Sequence, residues 1–179
     1  MNTWKGRVLA CAMTALAGTA VGSITMAQES TNRVATKTDW SVFTEGSPKE
    51  CWGVSSPKEI VNSRDGQPVT DARRGDILLF VTFRPGTGAN GEISFTGGYP
   101  FAPGSTVSVA IDGTSFEMIT DGEWAWPSST GDDGAMLAAM KRGSTAVLTA
   151  RSGRGTQTRD TFSLAGFTAA MTDAEARCK

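Results

Sequence analysis

The chain has 179 residues, with 17 Lys and Arg against 18 Asp and Glu, three cysteines and no histidine. That length suits one core, and the near-neutral charge argues against nucleic acid as a partner. The lack of imidazole excludes Ser-His-Asp and Cys-His nucleophile systems and removes the commonest transition-metal ligand.

In chain order, the first signal is a leader. Lys5 and Arg7 precede an apolar, small-residue run from Val8 to Met26, and Thr25-Met26-Ala27 places small side chains where a signal peptidase reads. The pattern predicts a signal peptide over 1–27 and a single domain over 28–179, in the periplasm or secreted. A membrane anchor needs about 20 strongly apolar residues, and Thr14, Gly18, Thr19, Gly22, Ser23 and Thr25 interrupt this run. No stable membrane span is expected once the leader is gone. Cys11 in Val8-Leu9-Ala10-Cys11 imitates a lipoprotein signal, but cleavage there would leave only three apolar residues ahead of it. Losing Lys5 and Arg7 leaves 15 basic residues to 18 acidic ones, further against nucleic acid.

Cys51 and Cys178 remain, an even pair in an exported chain, which predicts a disulfide. Phe167, Ala170, Met171, Ala174 and Cys178 recur at helical spacing, so the last cysteine should follow an apolar helix face into the core. The redox alternative usually uses a close Cys-x-x-Cys pair, absent here.

Between the cysteines the pattern is hairpins. Strands are predicted at Asp39–Thr44, Glu50–Ser55, Asp76–Arg84, Glu92–Thr96, Thr106–Ile111, Thr114–Ile119, Glu123–Trp126, Ser144–Arg151 and Thr156–Leu164. Asp65-Gly66, Asp112-Gly113 and Asp121-Gly122 supply the residues that tolerate positive φ in tight turns. One helix should run from Asp132 or Asp133 to Arg142, stopped by Gly143, with acids at its start and Lys141 and Arg142 at its end. A second should start near Gly166 or Phe167. The fold class is mainly β, an antiparallel β-sandwich or partly closed barrel with two short helices.

Chemistry is sparse. Asp112, Glu117, Asp121, Glu123, Asp132 and Asp133 could pair for carboxylate catalysis of the glycosidase type. Turn, helix-start and strand-exterior roles also account for each. Gly86, Gly88 and Gly91 form a formal G-x-G-x-x-G, but Glu92–Thr96 reads as a strand where a phosphate-binding helix would be needed, so the segment is a hairpin loop. No cofactor and no metal site is expected. Ser56–Lys58 reads as surface.

Two features could bind a partner. Trp124 and Trp126 alternate onto one side of a strand, with Tyr99 and Phe101 near them in the chain, as in an aromatic platform for a sugar or a protein. Core packing is the competing use of these rings. Arg151, Arg154 and Arg159 form a basic loop that could hold phosphate or carboxylate, unless they are solvated or pair with Asp160.

Gly98-Tyr99-Pro100-Phe101, Ile111-Asp112-Gly113, Ala125-Trp126-Pro127, Ala139-Met140-Lys141, Ser152–Gly155 and Asp160-Thr161-Phe162-Ser163-Leu164-Ala165-Gly166-Phe167, followed by Ala169-Ala170, together resemble the invasion associated locus B (IalB) family. Asp39-Trp40-Ser41-Val42 resembles that family's opening strand. The resemblance implies a small exported alphaproteobacterial protein without an established catalytic mechanism. Some family members carry extra cysteines near the segment equivalent to Trp126–Asp133, and this chain has none there. The function expected is that of a non-enzymatic periplasmic or envelope protein binding an envelope or host protein, or a glycan. The alternative is a carboxylate-based hydrolase or lyase acting on envelope polysaccharide. A third reading is a module that pairs extended peptides at a strand edge.

Overall fold

Alternation of buried and exposed side chains, with period two, recurs along most of the chain, and the result is a sheet with one face turned inward. The computed structural model describes residues 32–47 and 49–179; the predicted leader lies outside the described residues. The first seven strands are β1 (Arg33–Lys37), β2 (Trp40–Gly46), β3 (Lys49–Ser55), β4 (Glu59–Arg64), β5 (Gln67–Pro68), β6 (Leu78–Arg84) and β7 (Ala89–Thr96). Then come β8 (Thr106–Ile111), β9 (Thr114–Asp121), β10 (Trp124–Pro127), helix α1 (Thr130–Arg142), β11 (Thr145–Arg151), β12 (Gln157–Ser163) and helix α2 (Phe167–Arg177).

These strands make one antiparallel sheet in the order β1-β2-β3-β6-β7-β10-β9-β8-β11-β12-β4-β5. The mainly β, antiparallel fold with two helices is the one expected from sequence. The sheet folds over without its ladder closing. Phe95 of β7 meets Phe162 of β12 edge-on at 6.1 Å, and the Trp40 indole of β2 donates to the Ser163 carbonyl of β12 at 3.0 Å. Inward residues such as Val42, Val81, Ile93, Val107, Met118 and Leu148 form the core.

The hairpin glycines work as expected: Asp112 and Gly113 take φ of 42° and 92° between β8 and β9. Helix α1 starts earlier than Asp132, because Ser129 caps it by accepting from the Asp132 amide. Its Asp133 carboxylate accepts from the Ile93 amide at 2.8 Å, beside the irregularity in β6–β7 pairing at Thr82 and Phe83. Burial pushes the Asp133 carboxyl up, against that hydrogen bond.

Helix α2 buries Phe167, Ala170, Met171 and Ala174. Gly53 of β3 is the close-approach point, since a Cβ there would strike the Met171 methyl. Gly166 precedes the helix at φ 85°, where a Cβ would collide with the Lys37 carbonyl. Cys178, just beyond α2, is bonded to Cys51 of β3. The helix is thus fixed at one end by a glycine and at the other by sulfur.

Candidate functional site

The outward residues of β2, β3, β6 and β10 bring five aromatic rings around one groove, Phe43, Trp52, Phe80, Trp124 and Trp126. Strand alternation sends Cys51 and Gly53 inward and leaves Glu50, Trp52 and Val54 half-exposed. In β6 the same rule presents Leu78, Phe80 and Arg84, and in β10 it presents Trp124 and Trp126 while Ala125 is buried.

Register then sets these residues side by side. Phe43 pairs with Trp52, Trp52 with Thr82, and Thr82 with Glu92. One step along, Val54 pairs with Phe80 and Phe80 with Ser94. Phe43 and Trp52 stack at 5.5 Å and 6°. Phe80 lies 5.8 Å from Trp124, which is 6.4 Å from Trp126 at 22°. The product is an open groove of about 840 Å³, flanked by aromatic rings and crossed by hydroxyl side chains.

One charged cluster lies in it. Arg84 donates to Glu50 at 2.8 Å and to Glu92 at 3.0 Å. Partial burial works against the guanidinium charge, but the Glu92 hydrogen bond and both carboxylates outweigh it, so the Arg84 pKa is raised.

The sequence expectations divide here. Trp124 is 40 % exposed and shares the groove with Trp126. Tyr99 and Phe101 are not part of it. Phe101 is 6 % exposed against Phe95, and the Tyr99 hydroxyl meets the Thr158 hydroxyl at 2.5 Å. Proximity in the chain did not become proximity in space, because the segment after β7 turns to the β11–β12 connection, where Gly153 donates to the Pro100 carbonyl.

Of the two alternative uses of Arg151, Arg154 and Arg159, solvation or pairing with Asp160, the pairing does not occur. Asp160 is fully buried and receives two hydrogen bonds from Arg74, at 2.7 and 2.6 Å. Alternation along β12 turns Arg159 outward. Burial pushes the Asp160 carboxyl up, and the Arg74 guanidinium pulls against it. Arg151, Arg154 and Arg159 are exposed, and Arg154 lines a cavity with Arg74 and Tyr99 while Arg151 and Arg159 do not.

Three of the carboxylates singled out for catalysis, Asp112, Asp132 and Asp133, serve structural uses. Asp112 accepts from the Ser144 and Thr145 amides, and Asp132 from the Ser128 and Ser129 hydroxyls. Glu123 lies in the turn before β10, not on a strand. Among the described residues, no three His, Cys, Asp or Glu side chains cluster as metal ligands, and no helix is long and apolar enough to cross a membrane.

Sequence reasoning missed Phe43, Trp52 and Phe80. Their outward positions follow from alternation, but their adjacency to Trp124 depends on β10 pairing with β7 beside β6 and, for Phe43 and Trp52, on β3 pairing with β6 across the β4–β5 hairpin.

No curated protein matches the chain. The crystal structure of invasion associated protein B from Bartonella henselae is similar in fold, with a TM-score of 0.51, 15% sequence identity, and coverage of 79% of this chain and 95% of that one. The family model described as Invasion associated locus B (IalB) protein matches residues 64–175, more than half of the chain, which therefore belongs to the invasion associated locus B family.

Proposed function

We propose that this is an exported, non-enzymatic envelope protein, retained in the periplasm or secreted, that holds a glycan in the aromatic groove. The leader-like N-terminus and the Cys51–Cys178 bond support export, because disulfides form and persist in oxidising compartments. The observation that carries the ligand class is the composition of the groove. Phe43, Trp52, Phe80, Trp124 and Trp126 line it together with Thr82 and Ser94, and the Glu50–Arg84–Glu92 cluster stands among them. A sugar ring has apolar C–H faces and a rim of hydroxyls, so it can lie on an indole while donating to carboxylates. Acidic side chains lining the groove, Glu50, Asp76 and Glu92, outnumber the single Arg84, which suits a ligand rich in hydroxyl donors. Protein hot spots favour closely packed, desolvated pockets, unlike this open surface.

The alternative, a polysaccharide hydrolase or lyase, gains one observation: Glu50 and Glu92 both reach Arg84 within the groove. The deciding test is retention of the purified protein on immobilised envelope polysaccharide, with product release followed in parallel. Wild type should be retained without releasing sugar, and Trp124→Ala with Trp126→Ala should weaken retention by about tenfold or more. Progressive release of saccharide that stops in Glu50→Gln or Glu92→Gln would replace binding with catalysis. Retention only by an envelope protein would overturn the glycan assignment.

A further inference from the structure

We propose that the arginine-lined cavity between the β4–β5 hairpin and the β11–β12 turn binds a phosphate monoester. The cavity, of about 550 Å³, is lined by Arg64, Arg73 and Arg154 from three separate segments, with Arg74, Tyr99 and Thr158 deeper in. This is a different site from the aromatic groove and needs no glycan there.

The arginines do not have equal freedom. Arg74 is committed to structure: its side chain is 6 % exposed, its two terminal nitrogens hold Asp160, and its Nε donates to the Gly97 carbonyl. Its guanidinium also lies over the Tyr99 ring, 5.1 Å from the centroid. Arg64, Arg73 and Arg154 are exposed, and none forms an ion pair among the described residues. Arg64 reaches the Thr156 hydroxyl at 2.7 Å, which ties its fork to the cavity wall.

Three guanidinium groups without an ion-pair partner, set on separate segments around one cavity, can offer donors to acceptor oxygens arranged tetrahedrally, whereas a planar carboxylate is met by one fork. A phosphate monoester carries a charge of about −1.5 to −2 at neutral pH and three such oxygens. Asp71 and Glu123 also line the cavity. They disfavour further negative charge and leave acceptors for hydroxyls on the esterified body, so the class of ligand is a phosphorylated polyol.

The probes are inorganic phosphate and glycerol 1-phosphate, titrated into the purified protein by calorimetry and by ³¹P line broadening, with acetate as the planar control. Expected is saturable binding of both phosphates, tighter for the ester, with acetate much weaker. Arg73→Ala and Arg154→Ala should each weaken binding by about tenfold, as loss of one charge-assisted hydrogen bond implies. Arg151→Ala and Arg159→Ala, outside the cavity, should leave it unchanged, and Trp124→Ala should too. Absence of saturation, an equal response to Arg151→Ala, or acetate binding as tightly as phosphate would overturn the assignment. Far-ultraviolet circular dichroism of each variant separates loss of binding from loss of fold.

Discussion

Opening the Cys51–Cys178 bond should remove much of the stability of the fold. The bond closes a loop with a sequence separation of 127 residues. Closing a loop of that length restricts the unfolded chain by about 5 kcal/mol at 25 °C in the chain-entropy treatment, and residual structure in the unfolded chain lowers the figure. Both sulfurs lie in the core, since Cys51 is fully buried and Cys178 nearly so. Replacing both with Ala therefore adds a small packing loss to the entropic one. Helix α2 still has Phe167, Ala170, Met171 and Ala174 to dock it, so the variant should fold at 25 °C and unfold sooner. Urea denaturation of wild type, wild type with dithiothreitol, and Cys51→Ala with Cys178→Ala measures the effect. At a slope of about 2 kcal/mol per molar urea, the midpoint should fall by roughly 2 M in both reduced wild type and variant. A fall equivalent to less than about 1 kcal/mol would refute the reasoning. It would mean that the unfolded chain is already compact near these residues.

Gly166→Ala forces a Cβ into the Lys37 carbonyl at φ 85° and should cost about 1–3 kcal/mol, read as a lowered urea midpoint; an unchanged midpoint would show that the start of α2 can move away from β1. Asp160→Asn leaves the buried Arg74 guanidinium without its counter-charge and should destabilise by about 3–5 kcal/mol, with Arg74→Met and Asp160→Leu together restoring a large part. A double variant no better than the single one would argue against a charge-pair origin. Asp112 has a folded-state pKa lowered chiefly by the Ser144 amide hydrogen bond, so its contribution is present above the unfolded value near 3.8 and is lost as pH falls through the folded value. The stability gap between wild type and Asp112→Asn should be constant above about pH 5 and shrink below about pH 3.8. A gap that widens in acid would reverse the sign of this account.

Local structure was legible where a single residue type decides it. Asp112-Gly113 permits a turn with positive φ at both positions, and Phe167 with Met171 marks a buried helix face, so hairpin and helix could be read without knowing the rest of the molecule. The leading edge was not legible, because β1 is mostly exposed and shows little apolar periodicity. Long-range pairing was the larger gap. Arg74 and Asp160 are 86 residues apart, and neither has a local pattern that names the other. The groove shows the same limit: Trp124 and Trp126 were visible as an outward pair on one strand, but Phe43, Trp52 and Phe80 join them only through strand order. Tyr99 and Phe101 show the converse, since hydrogen bonding to the β11–β12 turn carries this segment away from the groove, burying Phe101 in the core and leaving Tyr99 half-buried beside the arginine-lined cavity.

Tryptophan fluorescence provides the most direct test of a glycan seated on this sheet. Among the described residues Trp52, Trp124 and Trp126 line the groove while Trp40 is buried against Phe167, so indole emission reports mainly on the proposed surface. Titration of soluble envelope oligosaccharides should shift or quench the emission saturably in wild type, and Trp124→Ala with Trp126→Ala should lose most of that response with its urea midpoint little changed. Emission indifferent to every oligosaccharide, or a response that survives removal of both indoles, would contradict the account.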